Sequence, residues 1–284
     1  MKTLAFSQKH IFGTQNAFLR YTFPNEIEFR NQEIGLASIS IFYSFYNISA
    51  AKNNNKFQYE WYNNATSSMQ TFDVEFPDLI AEVSTLNNYF QYVMRNNGHY
   101  LNDANGNIVY FAELIVDTSR FAISIITKEV PTAFSTLYPS ADNTHFTLPT
   151  AAFNPVVKMI ATSNFHKLIG YTNSFATIST AQTTRTHFSS TAPILNDDSN
   201  LIVSITNGLV DNPYAIETGV IYSFPVFATP GAQILSKPNE IAFLDLRNTR
   251  TNFIDVQIRN ADTGALLQLL DPEISIMLLV RNKK

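Results

Sequence analysis

A two-residue rhythm runs through this chain and restricts it to β-structure. In KFQYEWY, Phe57, Tyr59 and Trp61 alternate with Gln58, Glu60 and Tyr62. QTFDVEF repeats the pattern, with Phe72, Val74 and Phe76 opposed by Thr71, Asp73 and Glu75. Successive side chains of a strand point to opposite faces, so such segments read as half-buried antiparallel strands. In IGLASISIFYSFYNI, Ile39, Ile41, Tyr43 and Phe45 share a face, while Leu36, Phe42 and Tyr46 make the other partly apolar. That strand is expected to be covered on both sides. Further strands read at NIVYFAELIV, FAISIITK, LIVSIT, GVIYSFPVF, EIAFLDL, NFIDVQIR and EISIMLLV.

One segment breaks the rhythm. After Pro77-Asp78, the residues Leu79, Ile80, Val83, Leu86, Phe90, Val93 and Met94 follow helical spacing, and Asn96-Asn97-Gly98 closes the run. An amphipathic helix over about 78–95 is expected, N-capped by Asp78. Between 131 and 200 the character changes again, to Thr, Ser, Ala and Asn with prolines at 131, 139, 149, 155 and 193. A loop that long is unusual in a compact domain. It reads as a loop-rich insertion or small subdomain within a single domain spanning 1–284. Inside it, NPVVKMIATSNFHKLIGY fits a short helix or a strand pair equally well.

Many short strands, one helix and only 9 glycines in 284 residues indicate an all-β sandwich or barrel. The strand inventory suffices for a single jelly-roll β-sandwich of two antiparallel sheets. The end of the chain, VQIRNADTGALLQLLDPEISIMLLV, reads as two strands around a turn at Asp262-Thr263-Gly264. Ile254, Val256 and Ile258 share a face of the first. Ile274, Ile276, Leu278 and Val280 share a face of the last, with Met277 and Leu279 loading its other side. A strand apolar on both faces is expected to be paired and covered.

Composition narrows the function. The chain has no cysteine, which removes disulfides, thiolate nucleophiles and Cys-ligated metals. Net charge is -4, so strong nucleic-acid binding is not expected, and the basic RNKK end reads as a solvated terminus. Its first residues, MKTLAFSQKHIFG, do not read as a secretory leader, since Ser7, Gln8, Lys9 and His10 break the apolar run. No apolar run approaches the roughly 20 residues of a membrane-spanning helix, so membrane insertion is not expected. The triplets at Asn47 and Asn64 match the glycosylation pattern as an Asn-rich chain does by chance.

No catalytic signature is present. His10, His99, His145, His166 and His187 form no HExxH pattern or close pair, and no metal site or cofactor is expected. There is no nucleophile elbow, P-loop or dinucleotide fingerprint. Asp197-Asp198 lies in a turn-like NDDSN, and Glu26, Glu28, Glu33, Asp73 and Glu75 form an acid pair only by assumption. The chain is therefore not expected to be an enzyme. Phe57, Tyr59 and Trp61 admit two readings. They are either the inward face of a strand or, in a glycan- or receptor-binding module, an exposed aromatic platform. The polar residues on the opposite face favour the core.

Three segments together resemble the penton, or minor capsid, proteins of polinton-like viruses and virophages. They are EIGLASISIFYSFYNISAAKNNNKFQYEW, then DDSNLIVSITNGLVDN with GVIYSFPVF, and the closing pair of strands. The resemblance implies a single jelly roll forming homopentamers at the five-fold vertices of an icosahedral capsid, without catalytic residues or cofactor. Its implied partners are copies of itself, a double jelly-roll major capsid protein and other minor capsid proteins. Its implied location is the virion, assembled inside the infected host cell.

Overall fold

In the computed structural model, residues 1–196, 198–210 and 219–283 are described. Chain contacts divide the protein into two compact units, residues 1–45 with 197–284 and residues 46–196.

The first unit opens with β1 (Lys2–Ser7), β2 (Phe18–Phe29) and β3 (Gln32–Phe42). The second contains β4 (Lys56–Asn63), β5 (Ser68–Glu75), α1 (Val83–Asn96), β6 (Leu101–Asn102), β7 (Ile108–Val109), β8 (Ala112–Asp117), β9 (Ala122–Lys128), β10 (Val156–Lys158), α2 (Phe165–Ile169) and β11 (Thr184–Phe188). The chain then returns to the first unit with β12 (Asn200–Ile205), β13 (Val220–Pro225), β14 (Gln233–Ser236), β15 (Leu244–Asp245), β16 (Thr249–Asn260) and β17 (Ser275–Asn282).

The first unit is a jelly roll. One sheet runs β1-β17-β3-β14, with β15 also on β3, and the other runs β13-β12-β16-β2. Numbered among the eight strands of these sheets with the two-residue β15 set aside, the orders are 1-8-3-6 and 5-4-7-2, the two interleaved Greek keys of that architecture. The inward alternation fills the space between them, with Ile39, Ile41, Ile276, Leu278, Val256 and Ile258 all buried. A bulge in β3 opposite Met277 and Leu278 absorbs Ala37 as an extra residue. This is why Leu36 and Ile39, three apart, both face inward. Gly219 sits at φ +87, and a Cβ there would lie 2.2 Å from the Ile205 carbonyl oxygen, so only glycine fits.

On β2 and β16, Arg20 and Asp255 stand directly opposite. Their two-pronged ion pair closes at 2.7 and 2.8 Å, and the guanidinium lies 3.9 Å from the Phe12 ring centre and 4.3 Å from that of Phe253. Asn260 ends β16 by accepting from the Asp262 and Thr263 amides, at 2.8 and 2.7 Å, while its amide reaches Asp198 at 2.7 Å. Asp198 is thus a buried turn anchor; its neighbour Asp197 lies outside the described residues.

In the second unit, β10-β4-β5 and β11-β9-β8 form two antiparallel three-stranded sheets, and β6 pairs β7. Its core joins Phe57, Tyr59 and Trp61 from β4 to Leu86, Phe90 and Met94 from α1.

Several expectations change. The helix begins at Val83 after Glu82, not at Asp78, because the Asp78 carboxylate accepts from the Ala50 amide at 2.8 Å and Leu79 bridges to Ile48. The turn at Asp262-Thr263 follows β16 as expected, but β17 pairs in the opposite sheet, and the stretch between them crosses the sandwich. β17 is central by pairing, yet its outer face is open, with Met277 40% exposed. The outer face of β3 is likewise partly open at Phe42. EIAFLDL shrinks to the two-residue β15, and NIVYFAELIV splits into β7 and β8. The ambiguous NPVVKMIATSNFHKLIGY resolves into one strand, β10, and one short helix, α2, which ends in a left-handed Gly170.

Candidate assembly surface

The outward residues of the β1-β17-β3-β14 sheet lie in rows set by the pairing register. Thr3, Leu279 and Gly35 make one row; Ala5, Met277 and Ser38 the next. Ser7, Ser275, Ser40 and Leu235 make a third, followed by Phe42 with Gln233. None of these residues is charged. Charge flanks these rows at both ends: Glu273 lies beyond Ser275, and beyond Gly35 Arg281 pairs with Glu33 at 2.8 Å and lies 3.6 Å from the Phe243 ring centre. The segment around Ile241 and Ala242 lies over that end. It is close enough that a Cβ on Gly35 would meet the Ile241 side chain at 2.6 Å.

The rest of the face is open. Met277 is 40% and Leu235 59% exposed. A trough of about 350 Å³ crosses it, floored by Ser7, Ser275 and Ser40 and walled by Gln8, Phe42, Gln233 and Glu273. Gln233 donates to the Ser40 hydroxyl at 2.7 Å. The serine hydroxyls of this face can donate or accept across a contact. Interface centres are depleted of charge in this way.

The aromatics of β4 lie elsewhere. Phe57, Tyr59 and Trp61 are 0%, 0% and 5% exposed in the core of the second unit. Phe57 stacks on Phe165 at 4.9 Å, and Trp61 stacks on His99 at 4.5 Å. Asn97 donates to the Tyr59 hydroxyl at 2.9 Å, which leaves that hydroxyl to donate to His99 Nδ1 at 2.8 Å. His99 is then neutral with its proton on Nε2, and burial pulls its pKa down to about 4. Burial also raises Tyr59 above the usual phenol range. A ligand would reach these rings only by opening the core.

The histidines stay dispersed, and among the described residues no group of three metal-ligating side chains comes together. Among them too, no helix is long and apolar enough to cross a membrane. The open sheet face escaped the sequence reading. Its signal was present: Ser38 and Ser40 in ASISIF and Ser275 in EISIM take outward positions, where solvated strands usually carry charge.

No family model and no curated protein matches this sequence. Among solved structures, the selenomethionine-labelled mavirus penton protein aligns over 99% of both chains at 11% identity, with a TM-score of 0.51. The fold is that of the mavirus penton protein. The Sputnik virophage structure determined by cryo-electron microscopy aligns over 99% of this chain and 98% of its own, also at 11% identity. Its TM-score of 0.46 is too low to bear on the fold. A penton jelly roll is also what the sequence resemblance implies, and the match runs through both units.

Proposed function

We propose that this protein is a structural, non-enzymatic component of an icosahedral virion, a homopentamer that closes the five-fold vertices. The observation that carries the reading is an eight-strand jelly roll aligned end to end with a penton protein. The outer face of the β1-β17-β3-β14 sheet, uncharged from the row of Thr3 to that of Ser7, supports it. A five-fold ring requires heterologous contacts, one surface of each copy meeting a different surface of the next. Four strands spaced about 4.8 Å apart, each some seven residues long, present roughly 400 Å². That is about half of the ~800 Å² per partner of a standard interface, so loops at the sheet margins supply the rest. The surrounding partner is a double jelly-roll major capsid protein, with other minor capsid proteins as neighbours. Assembly takes place in the infected cell.

Native mass spectrometry and negative-stain imaging of the purified chain, alone and mixed with the major capsid protein, test the reading. Pentamers are expected. Met277→Asp with Leu235→Asp should abolish them and leave the monomer's thermal unfolding unchanged, since both side chains point away from the core. A protein that stays monomeric in both settings refutes the proposal.

A further inference from the structure

We propose that Phe227 of one copy seats in an apolar groove on the jelly roll of the next copy. The inference rests on the pentamer reading above and names a contact that closes the ring. Phe227 is 91% exposed, on the loop between β13 and β14. β13 and β2 are the two edges of one sheet, and β14 and β1 are the two edges of the other. The loop therefore lies at one edge of the sandwich, and β1 with β2 forms the opposite edge.

The groove opens between β1 and β2. Phe253 pairs with Thr22 and Thr251 with Ile27, so Phe23 to Glu26 stand against the single residue Asn252. Extra residues of this kind bend a strand. Beside the bend is a cavity of about 220 Å³ with an apolar lining of Leu4, Phe23, Ile27, Phe29 and Val280. Phe23 meets Phe29 edge-on at 6.4 Å, which fixes one wall. An apolar cavity of about 150 Å³ holds a benzene molecule, so this one has room for a phenyl ring.

One exposed aromatic is ordinary on a protein surface. This one is set apart by how its loop is held and by the ring-sized groove on the other edge. Pro225 and Pro230 flank the tip. The Val226 amide donates to the Ser199 carbonyl at 2.8 Å, the Gly231 amide to that of Tyr43 at 2.9 Å, and the Tyr43 amide to that of Ala232 at 2.9 Å. A loop already fixed loses little entropy on docking. Tyr43 and Ala232 directly follow the Phe42–Gln233 pair, so the loop is continuous with the open sheet face. That face presents about half of a standard contact, and burying a phenylalanine adds roughly 150–250 Å² between the two partners.

The occupant is a second copy. Four strands spaced about 4.8 Å apart separate the two edges, so no copy fills its own groove. With knob and groove on opposite edges, each copy gives its knob to one neighbour and takes that of another. Such a heterologous contact closes into a ring.

Native mass spectrometry of full-length chains, with and without amine cross-linking, tests the contact. Phe227→Asp and Ile27→Asp should each lose pentamers, while Phe227→Leu keeps an apolar knob and retains them. Phe227→Ala should raise the concentration for half-assembly about tenfold or more. An equimolar mixture of the two Asp variants has one intact contact, the knob of Ile27→Asp in the groove of Phe227→Asp. It should give a heterodimer and nothing larger. If Ile27→Asp does not fold, Phe227→Asp against Phe227→Leu still decides the matter, since that side chain lies outside the core. Undiminished pentamers in Phe227→Asp, or full pentamers in the mixture, would overturn the contact and leave the vertex reading standing. A natural chain that stays monomeric overturns both.

Discussion

Deleting residues 273–284 removes β17 from the middle of its sheet, and the cost can be worked from the structure. β1 pairs only with β17 in that sheet, so it loses its sole ladder, and β3 loses its longest one, keeping only β14 and β15. Ile274, Ile276, Leu278 and Val280 are 6%, 0%, 0% and 4% exposed. Burying an aliphatic side chain of this size contributes about 1.5–3 kcal/mol, so the four together contribute roughly 6–12 kcal/mol. A whole domain is stable by only about 5–15 kcal/mol, so the jelly roll should not survive. The sole tryptophan, Trp61, lies in the other unit, so fluorescence would miss the loss. Hydrogen exchange read by mass spectrometry resolves it. Peptides covering β3, β12 and β16 should lose protection, while those covering β4 and α1 keep theirs. Full protection of β3 and β16 in the truncated chain would refute the strand's assigned place. Leu278→Ala offers a graded version, expected to cost about 2–5 kcal/mol in urea unfolding.

Two further expectations concern polar groups. His99 has its pKa depressed to about 4 by burial, so its neutral form is the one the fold favours. Above its ordinary value of 6.5 it contributes no pH dependence; as pH falls from there towards 4, the unfolded chain takes up the proton first. The second unit should therefore lose about 3 kcal/mol across that window, and His99→Gln should flatten the dependence in pH-resolved melting. Asp255→Asn removes the charge that Arg20 grips from a partly buried site, and should cost about 1–3 kcal/mol in the jelly roll, read by denaturant midpoint. An unchanged midpoint would mean that the pair is balanced by its own desolvation.

Strands were legible where alternation was clean and local. β4, β5 and β17 show it, and their inward residues are core, while β9 and β12 read as apolar runs and are buried on both faces. β1, β2 and β14 were not. KTLAFS buries only Phe6, and QILS is four residues long. FLRYTFPNEIEF carries Pro24 and two glutamates, because it is a sheet edge with an irregular stretch between Thr22 and Ile27. The pairing was hidden for a different reason. Lys2 meets Val280 across nearly the whole chain, and no local pattern encodes a partner so distant. The helix start failed because Asp78 is engaged by Ala50, a tertiary contact that outranks its capping preference. At the candidate surface, serine was present in the sequence as a residue type. Its meaning depended on four strands aligning, which only the fold supplies.

The interleaved order of the jelly roll also dictates a schedule. β17 lies between β1 and β3, so the first sheet cannot close until residue 282 has left the ribosome, and β1 to β3 must wait through all intervening synthesis. The strands of residues 46–196 find their partners within one continuous stretch, available long before. Nascent chains stalled near residue 240 should therefore resist protease across 57–128 and be cut within 1–42. The part of the chain made first is the part that folds last.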